Sequence, residues 1–262
     1  MPVRTLVAPA HKISLPTGPI LFVLMIAALG ATWQTSVTVL ELPSYLVPSP
    51  GSTLTTLVAR RGVILGQTLH TLGTAAAGLL CSSAFAILVA VLFTMSRNLT
   101  QATMPFVIAL RTAPLVAVAP VITLVVGRGF ISGVIIVIIA SFFPVLVSCL
   151  RGFASVSATA YELLYVNGAT RLQSLILLRF PTALPHLFAG LRVAAASALL
   201  ASMLGEWLTG NKGLGLLILD SAEMRDVELL WSAIIVATVL SLGVFWLTGR
   251  IERSVIYWNR TE

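Results

Sequence analysis

The chain has 262 residues, of which 58% are hydrophobic and only 10% are charged, and its formal net charge is +7. Soluble domains carry about 45–50% apolar and about 25% charged residues, so this composition excludes a soluble domain and indicates a protein of the lipid bilayer. No basic run with interleaved aromatic residues occurs, which argues against nucleic-acid binding. Cys81 and Cys149 both lie in apolar runs, a setting that favours two small buried side chains over a disulfide or metal pair.

Six segments are apolar over the length of about 20 residues that a membrane span requires. In chain order they are residues 18–40, a stretch within 66–95, 103–126, 130–150, 184–206 and 229–250. The sequence therefore predicts an all-α integral membrane protein, with a tail at 1–17, a transmembrane domain at 18–250 and a tail at 251–262. The basic residues before the first span also fit a signal peptide, but the apolar run is long for one, so we expect the span to be retained.

The basic residues predict the orientation, because cytoplasmic loops are enriched in Lys and Arg. Six spans put both termini on one side, and a cytoplasmic N-terminus gives nine basic residues inside against five outside, with Arg111 and Arg192 too close to apolar runs to assign. The inner set is Arg4, Lys12, Arg97, Arg151, Arg171, Arg179, Arg250, Arg253 and Arg260; the outer set is Arg60, Arg61, Arg128, Lys212 and Arg225. We therefore predict a multi-pass protein of the inner (plasma) membrane with both termini cytoplasmic.

The third span contains Pro105, Pro114 and Pro120, each of which removes a helix hydrogen bond. Broken backbone at membrane depth is tolerated only where protein or a water-filled cavity surrounds it, so this span should face other helices or a pathway. Arg111 and Thr112 lie beside the expected break and are candidates for the pathway. The alternative for Arg111 is an interfacial side chain that reaches the headgroups.

An amphipathic segment, about residues 151–183, separates the fourth and fifth spans. Glu162 begins a helical pattern that Gly168 interrupts, and glycine commonly follows a helix end where φ is positive. Thr170 can cap a second short helix, which Pro181 should end. Both helices are too short to span the membrane and too apolar for a mobile linker, so we expect them to contact another molecule.

This segment resembles the signature loop of binding-protein-dependent ABC importer permeases. The family pattern is Glu-Ala-Ala, three residues, Gly, and nine residues before Ile-x-Leu-Pro. The chain keeps the spacing of the Glu, the Gly and the final Pro but replaces the alanines with leucines, the Ile with Leu and the last Leu with Phe. From about residue 40 onward, the chain resembles the nitrate, sulfonate and taurine branch of this family, with its MetI-like transmembrane domain. Two of the stretches that carry this resemblance are "LRTAPLVAVAPVITLVVGRG" and "GEWLTGNKGLGLLI".

The resemblance implies a mechanism in which two permease copies form a pathway and their loops dock on a pair of ATP-binding subunits. A separate substrate-binding protein outside the cytoplasm would deliver the solute. Leu172, Leu175 and Ile176 would pack the second loop helix onto the bundle. The residues implied in ATPase coupling are Glu162, Leu163, Leu164, Gly168, Ala169, Leu178 and Pro181. We expect no enzyme activity and no cofactor in this chain, with ATP on the partner subunit, since the sequence has no phosphate-binding loop and no catalytic constellation.

Three further residues are pathway or gate candidates. Glu206 ends the fifth span, where a carboxylate is costly without water or a partner, and it marks either an outer gate or the membrane boundary. Ser197 and Ser202 on the same helix could line the pathway or join helices. The resemblance implies a small anion such as a sulfonate, taurine or nitrate as the solute, with a heterocyclic vitamin precursor as the alternative. A self-sufficient secondary transporter is the alternative of another class, although spans two, four and six carry almost no charge at mid-membrane.

Overall fold

A computed structural model of the chain describes residues 17–112, 114–210 and 212–256, with the side chains of 17–19, 97, 110 and 111 outside the description. Nearly all of the predicted N-terminal tail, residues 1–16, and half of the predicted C-terminal tail, residues 257–262, therefore lie outside the described residues. Within the described ranges every regular element is helical. The helices are α1 Thr17–Val39, α2 Pro50–Ala59, α3 Arg61–Met95, α4 Arg97–Thr112, α5 Leu115–Val126, α6 Phe130–Ala154, α7 Ala158–Val166, α8 Arg171–Ser174, a π-helical turn Leu175–Arg179, α9 Phe180–Thr209, α10 Leu214–Glu223 and α11 Val227–Val255.

Five of the six predicted spans correspond to helices long and apolar enough to cross a bilayer: α1, α3, α6, the continuous segment Arg171–Thr209 and α11. The prediction that the third span is one continuous helix is wrong, because this segment divides into α4 and α5. The division lies at Pro114, which takes an extended conformation (φ −67°, ψ 113°) before α5. Pro105 and Pro120 instead lie inside α4 and α5 without ending them. One of the three prolines therefore breaks the span.

The centre of the bundle is formed by α3, α6 and α9, which pack closely through small residues. A Cβ added at Gly78 of α3 would lie 2.5 Å from Val137 of α6, and one at Gly152 of α6 would lie 2.7 Å from Ala183 of α9. Helices in lipid associate chiefly by such close packing, since lipid tails are as apolar as their side chains. Cys149 is buried in this core, whereas Cys81 is exposed, so the expectation of two buried cysteines holds only for Cys149.

The first span lies at the edge of the bundle. The large apolar side chains of α1 from Ile20 to Leu29 are more than half exposed, which fits contact with lipid. Its attachment is through Trp33, whose ring stacks on Trp231 of α11 with centroids 5.2 Å apart. The indole N–H of Trp33 also donates to the carbonyl oxygen of Pro48 at 3.2 Å. The remaining helices position two sites at opposite ends of α9.

Candidate functional site

The first site is the segment from Ser157 to Pro181, here called the coupling loop after the role that the family resemblance implies for it. Its first helix, α7, begins where the amide of Ala160 donates to the Ser157 hydroxyl at 3.3 Å. The helix ends at Asn167, and Gly168 follows with φ +76°. Glycine takes this left-handed conformation without steric cost. The predicted turn at Gly168 is confirmed.

The second half of the loop begins as predicted and continues where an end was predicted. Thr170 and Gln173 form a reciprocal cap: the Thr170 amide donates to the Gln173 side chain at 2.8 Å, and the Gln173 amide to the Thr170 hydroxyl at 3.2 Å. The predicted end at Pro181 is wrong. The helix passes through the π-helical turn, in which the Phe180 amide donates to the Leu175 carbonyl, and continues as α9. Because proline has no N–H, Pro181 is compatible with this locally widened hydrogen-bond pattern.

The loop presents a mixed acidic and apolar surface. Glu162 is exposed, and so are Leu163 at 65%, Tyr165 at 74% and Val166 at 84%. Exposed apolar side chains grouped beside a charge mark a surface that contacts another molecule. Of the other residues implied in coupling, Gly168 is exposed, whereas Leu164, Ala169, Leu178 and Pro181 are half-buried.

The packing of the second loop helix differs from the expectation. Leu175 is buried at 8% exposure, but Leu172 and Ile176 are 56% and 58% exposed. The expectation that all three pack onto the bundle is therefore wrong for Leu172 and Ile176. Within the loop, α7 is instead joined to the π-helical turn by a cation–π contact, in which the Arg179 guanidinium lies 5.2 Å from the centre of the Tyr161 ring.

The second site, at the far end of α9, is a buried polar cluster centred on Glu206. Glu206 is 2% exposed, and its carboxylate accepts from the Thr71 hydroxyl at 3.0 Å, the Ser202 hydroxyl at 3.2 Å and the Gly215 amide at 2.9 Å. The Nδ1 atom of His70 lies 3.7 Å from the same carboxylate. A carboxylate at a span end is thus held by several donors from α3, α9 and α10, which offsets the cost of its burial.

The turn between α9 and α10 folds back over this carboxylate. The Gly213 amide donates to the Gln67 side chain at 2.6 Å, and the Leu214 amide to the Thr71 hydroxyl at 2.8 Å. Gly213 has φ +138°, and a Cβ there would collide with the Glu206 carboxyl group. The free amides at the start of α10 therefore find acceptors on α3 and α9, with the carboxylate at the positive end of the helix dipole.

Of the four pathway candidates whose side chains the structure describes, it brings only two together. Ser202 and Glu206 share the polar cluster. Ser197 is half-buried and donates to the Val193 carbonyl at 3.1 Å, and Thr112 is exposed and donates to the Ala109 carbonyl at 2.8 Å. The side chain of Arg111 lies outside the described residues. The pathway and gate roles of these residues stay predictions.

Sequence reasoning missed Thr71 and Gln67, whose side chains both form hydrogen bonds within the polar cluster. A cavity of about 390 Å³ between α5, α6 and α9 was also not predicted. Its wall is mainly apolar, including Phe143 and Val193, and its polar side chains are Ser148 and Arg151. In the sequence, the only feature that marks Thr71 and Gln67 as members of a polar cluster is that they are polar residues inside an apolar span.

A multi-helix membrane bundle with an apolar cavity between its spans and a short-helix loop at one end is an architecture typical of a transporter permease. The chain belongs to the family of binding-protein-dependent transport system inner membrane components, which matches residues 82–257. This confirms the resemblance identified from the loop. The protein is accordingly a multi-pass permease subunit of a binding-protein-dependent importer.

Curated relatives cover most of the chain. The riboflavin transport system permease protein RibX of Chloroflexus aurantiacus is 32% identical over 234 residues, covering 87% of this chain and 85% of RibX. The formylaminopyrimidine transport permease protein ThiX of Halalkalibacterium halodurans is 29% identical, covering 93% and 96%. The putative aliphatic sulfonates transport permease protein SsuC of Bacillus subtilis is 23% identical, covering 91% and 87%.

A solved structure confirms the fold. A chain of the inward-facing MetNI methionine ABC transporter superposes with a TM-score of 0.68 at 16% identity, covering 75% of this chain and 98% of that chain. The predicted MetI-like helical fold is therefore confirmed.

Proposed function

We propose that this chain forms half of the translocation pathway of an ABC importer, with a second copy as the other half. In this proposal the coupling loop docks on a separate ATP-binding subunit on the cytoplasmic side, where both termini also lie. A substrate-binding protein delivers solute to the opposite face. The observation that carries the proposal is the exposed surface of α7, because Leu163, Tyr165 and Val166 are 65–84% exposed beside the charge of Glu162 at the end of a membrane bundle.

The proposed docking assigns a role to each part of the loop. Leu163 and Val166 would enter an apolar groove on the ATPase, with Glu162 making a polar contact at its rim. Such an interface draws most of its binding energy from a few buried apolar anchors. The Gly168 turn would set the angle between α7 and the helix that continues into α9. Leu164, Ala169, Leu178 and Pro181 are half-buried and would hold the loop's shape.

Co-purification tests the docking. Val166→Asp and Glu162→Arg should each reduce the ATP-binding subunit recovered with the tagged chain by about tenfold or more, as expected for a hot-spot contact. Glu223→Arg is the matched control, because Glu223 is also an exposed glutamate but lies on α10. Recovery of the subunit with both loop variants at the control level would contradict the docking.

For the solute, we propose a neutral heterocyclic compound of the flavin or pyrimidine class. RibX and ThiX, whose names specify riboflavin and formylaminopyrimidine, are more similar to this chain than SsuC. The cavity supports this choice, because a wall of Phe143 and aliphatic side chains suits a planar ring better than a small hydrated anion, whose desolvation is costly. Arg151 in the same wall favours a sulfonate or similar anion as the second candidate.

Uptake by reconstituted importer distinguishes the two solute classes. Liposomes containing the chain, its ATPase and its binding protein are offered riboflavin, a formylaminopyrimidine, taurine and nitrate in turn. We expect ATP-dependent uptake of a heterocycle and none of taurine or nitrate. Uptake of taurine or nitrate but of no heterocycle would show that the solute is a small anion. Uptake in liposomes that lack the ATPase would contradict the proposal that this chain is part of an ABC importer.

A further inference from the structure

A basic cavity lies where the coupling loop meets the end of α3. Its volume is about 170 Å³, and its wall includes Arg171, Arg179, Tyr161 and Thr94. Leu175 and Met95 complete the wall, and none of the described side chains that line it is acidic. Two guanidinium groups, an exposed one on Arg171 and a half-buried one on Arg179, therefore line one small cavity at the end of a membrane span.

The π-helical turn explains how both arginines reach this cavity. Arg171 and Arg179 are eight residues apart, which on a regular α-helix would separate them by about 80° around the axis. A π-turn inserts one extra residue into the helix, so their spacing becomes that of residues seven apart, roughly 20° from alignment. Leu175 between them is buried. The unusual backbone before Pro181 therefore places both guanidinium groups on one face.

The charges of these arginines are not balanced within the described part of the chain. The ion pairs there join Arg60 to Asp226, His70 to Glu206 and Arg192 to Glu252, and none includes Arg171 or Arg179. Arg179 instead lies over the Tyr161 ring. Like charges in one cavity repel, and a guanidinium fork matches the oxygens of a phosphate group in geometry and charge. A bound phosphate group would relieve the repulsion.

Apolar side chains near the cavity indicate which kind of phosphate compound would bind there. Ile176, Leu177 and Phe180 are 58%, 65% and 38% exposed on the same stretch of helix, where the chain enters the span. These side chains offer an apolar surface for acyl chains beside a basic site for a headgroup. We propose that the cavity binds the phosphate of an anionic phospholipid, such as phosphatidylglycerol, at the base of the coupling loop. The proposal does not depend on the docking of an ATPase.

Lipid binding to the purified chain in detergent tests the site. Native mass spectrometry measures the affinity for phosphatidylglycerol and for phosphatidylcholine with the same acyl chains. We expect preference for phosphatidylglycerol, and the double variant Arg171→Gln/Arg179→Gln should bind it about thirtyfold more weakly, because each arginine near an anionic headgroup contributes about five- to sixfold in affinity. Circular dichroism confirms that the variant keeps its helices.

A matched pair separates this site from general electrostatic attraction. Arg250 and Arg253 are exposed near the end of α11, and Arg250 also lies over an aromatic ring, that of Trp246, at 4.4 Å. Arg250→Gln/Arg253→Gln should change the affinity by less than about threefold. Equal losses in the two double variants, or no loss in either, would overturn the proposal. Inorganic phosphate has no acyl chains, so its displacement of the lipid at millimolar concentration would overturn the assignment to a lipid.

Discussion

Replacing Glu206 with alanine tests the polar cluster most directly. The Thr71 and Ser202 hydroxyls have second acceptors, the carbonyls of Gln67 and Thr71, each at 3.2 Å. The Gly215 amide has no other acceptor among the described hydrogen bonds. A buried donor left without a partner costs about 1–3 kcal/mol, a range that includes the usual cost of losing an acceptor at a helix N-terminus. We therefore expect the variant to destabilise the turn by about 1–3 kcal/mol.

Hydrogen exchange measures this local cost. In the native chain the amides of Gly213, Leu214 and Gly215 all donate to side chains of α3 or α9, which protects them from solvent. A loss of 2 kcal/mol corresponds to about thirtyfold faster exchange of these amides, since 1.4 kcal/mol is one decade. Glu223→Ala is the control, because an exposed carboxylate contributes less than about 0.5 kcal/mol. Unchanged exchange at Gly215 in the Glu206 variant would refute the assignment of this carboxylate as the cap of α10.

Two further substitutions follow from the packing, and thermal unfolding in detergent measures both. Gly213→Ala should lower the free energy of unfolding by at least about 2 kcal/mol, because Gly213 has a φ of +138° and the added methyl group would meet the Glu206 carboxyl group. Gly243→Ala is the control, because the space around Gly243 is free and the variant should not be destabilised. Equal melting temperatures of the two variants would contradict this prediction. Glu252→Ala should lower the free energy of unfolding by about 1 kcal/mol, because it removes the ion pair with Arg192, whose two side chains are only 33% and 25% exposed. A change below about 0.3 kcal/mol would show that this ion pair does not stabilise the protein.

The spans and the loop turn were predictable because their signals are local. A run of apolar residues specifies a membrane helix by length alone, and Gly168 marks a left-handed turn by the conformation that only glycine adopts freely. The caps at Thr170 and Gln173 are three residues apart and readable in the same way. Local chemistry decides each of these features without reference to the rest of the fold.

The contacts of Glu206 could not be predicted, because they join residues far apart in the chain. Thr71 lies 135 residues before Glu206 and reaches it only when α3 packs beside α9. The continuation through Pro181 was missed for a different reason. Proline ends a helix when its missing N–H interrupts the regular pattern, but a π-turn leaves that position without a required donor.

One helix connects the two candidate sites. The segment Arg171–Thr209 has 39 residues, which at 1.5 Å per residue makes a rod of roughly 58 Å from the coupling loop to the polar cluster. A helix of this kind transmits a displacement along its axis, because its hydrogen bonds resist compression, whereas its bending concentrates where the regular pattern is interrupted. In this chain the interruptions are the π-turn before Pro181 and Pro185 inside α9, both near the loop. A force on the proposed ATPase surface would therefore bend the helix near the loop and move the Glu206 end of α9 together with the α10 turn hydrogen-bonded to it.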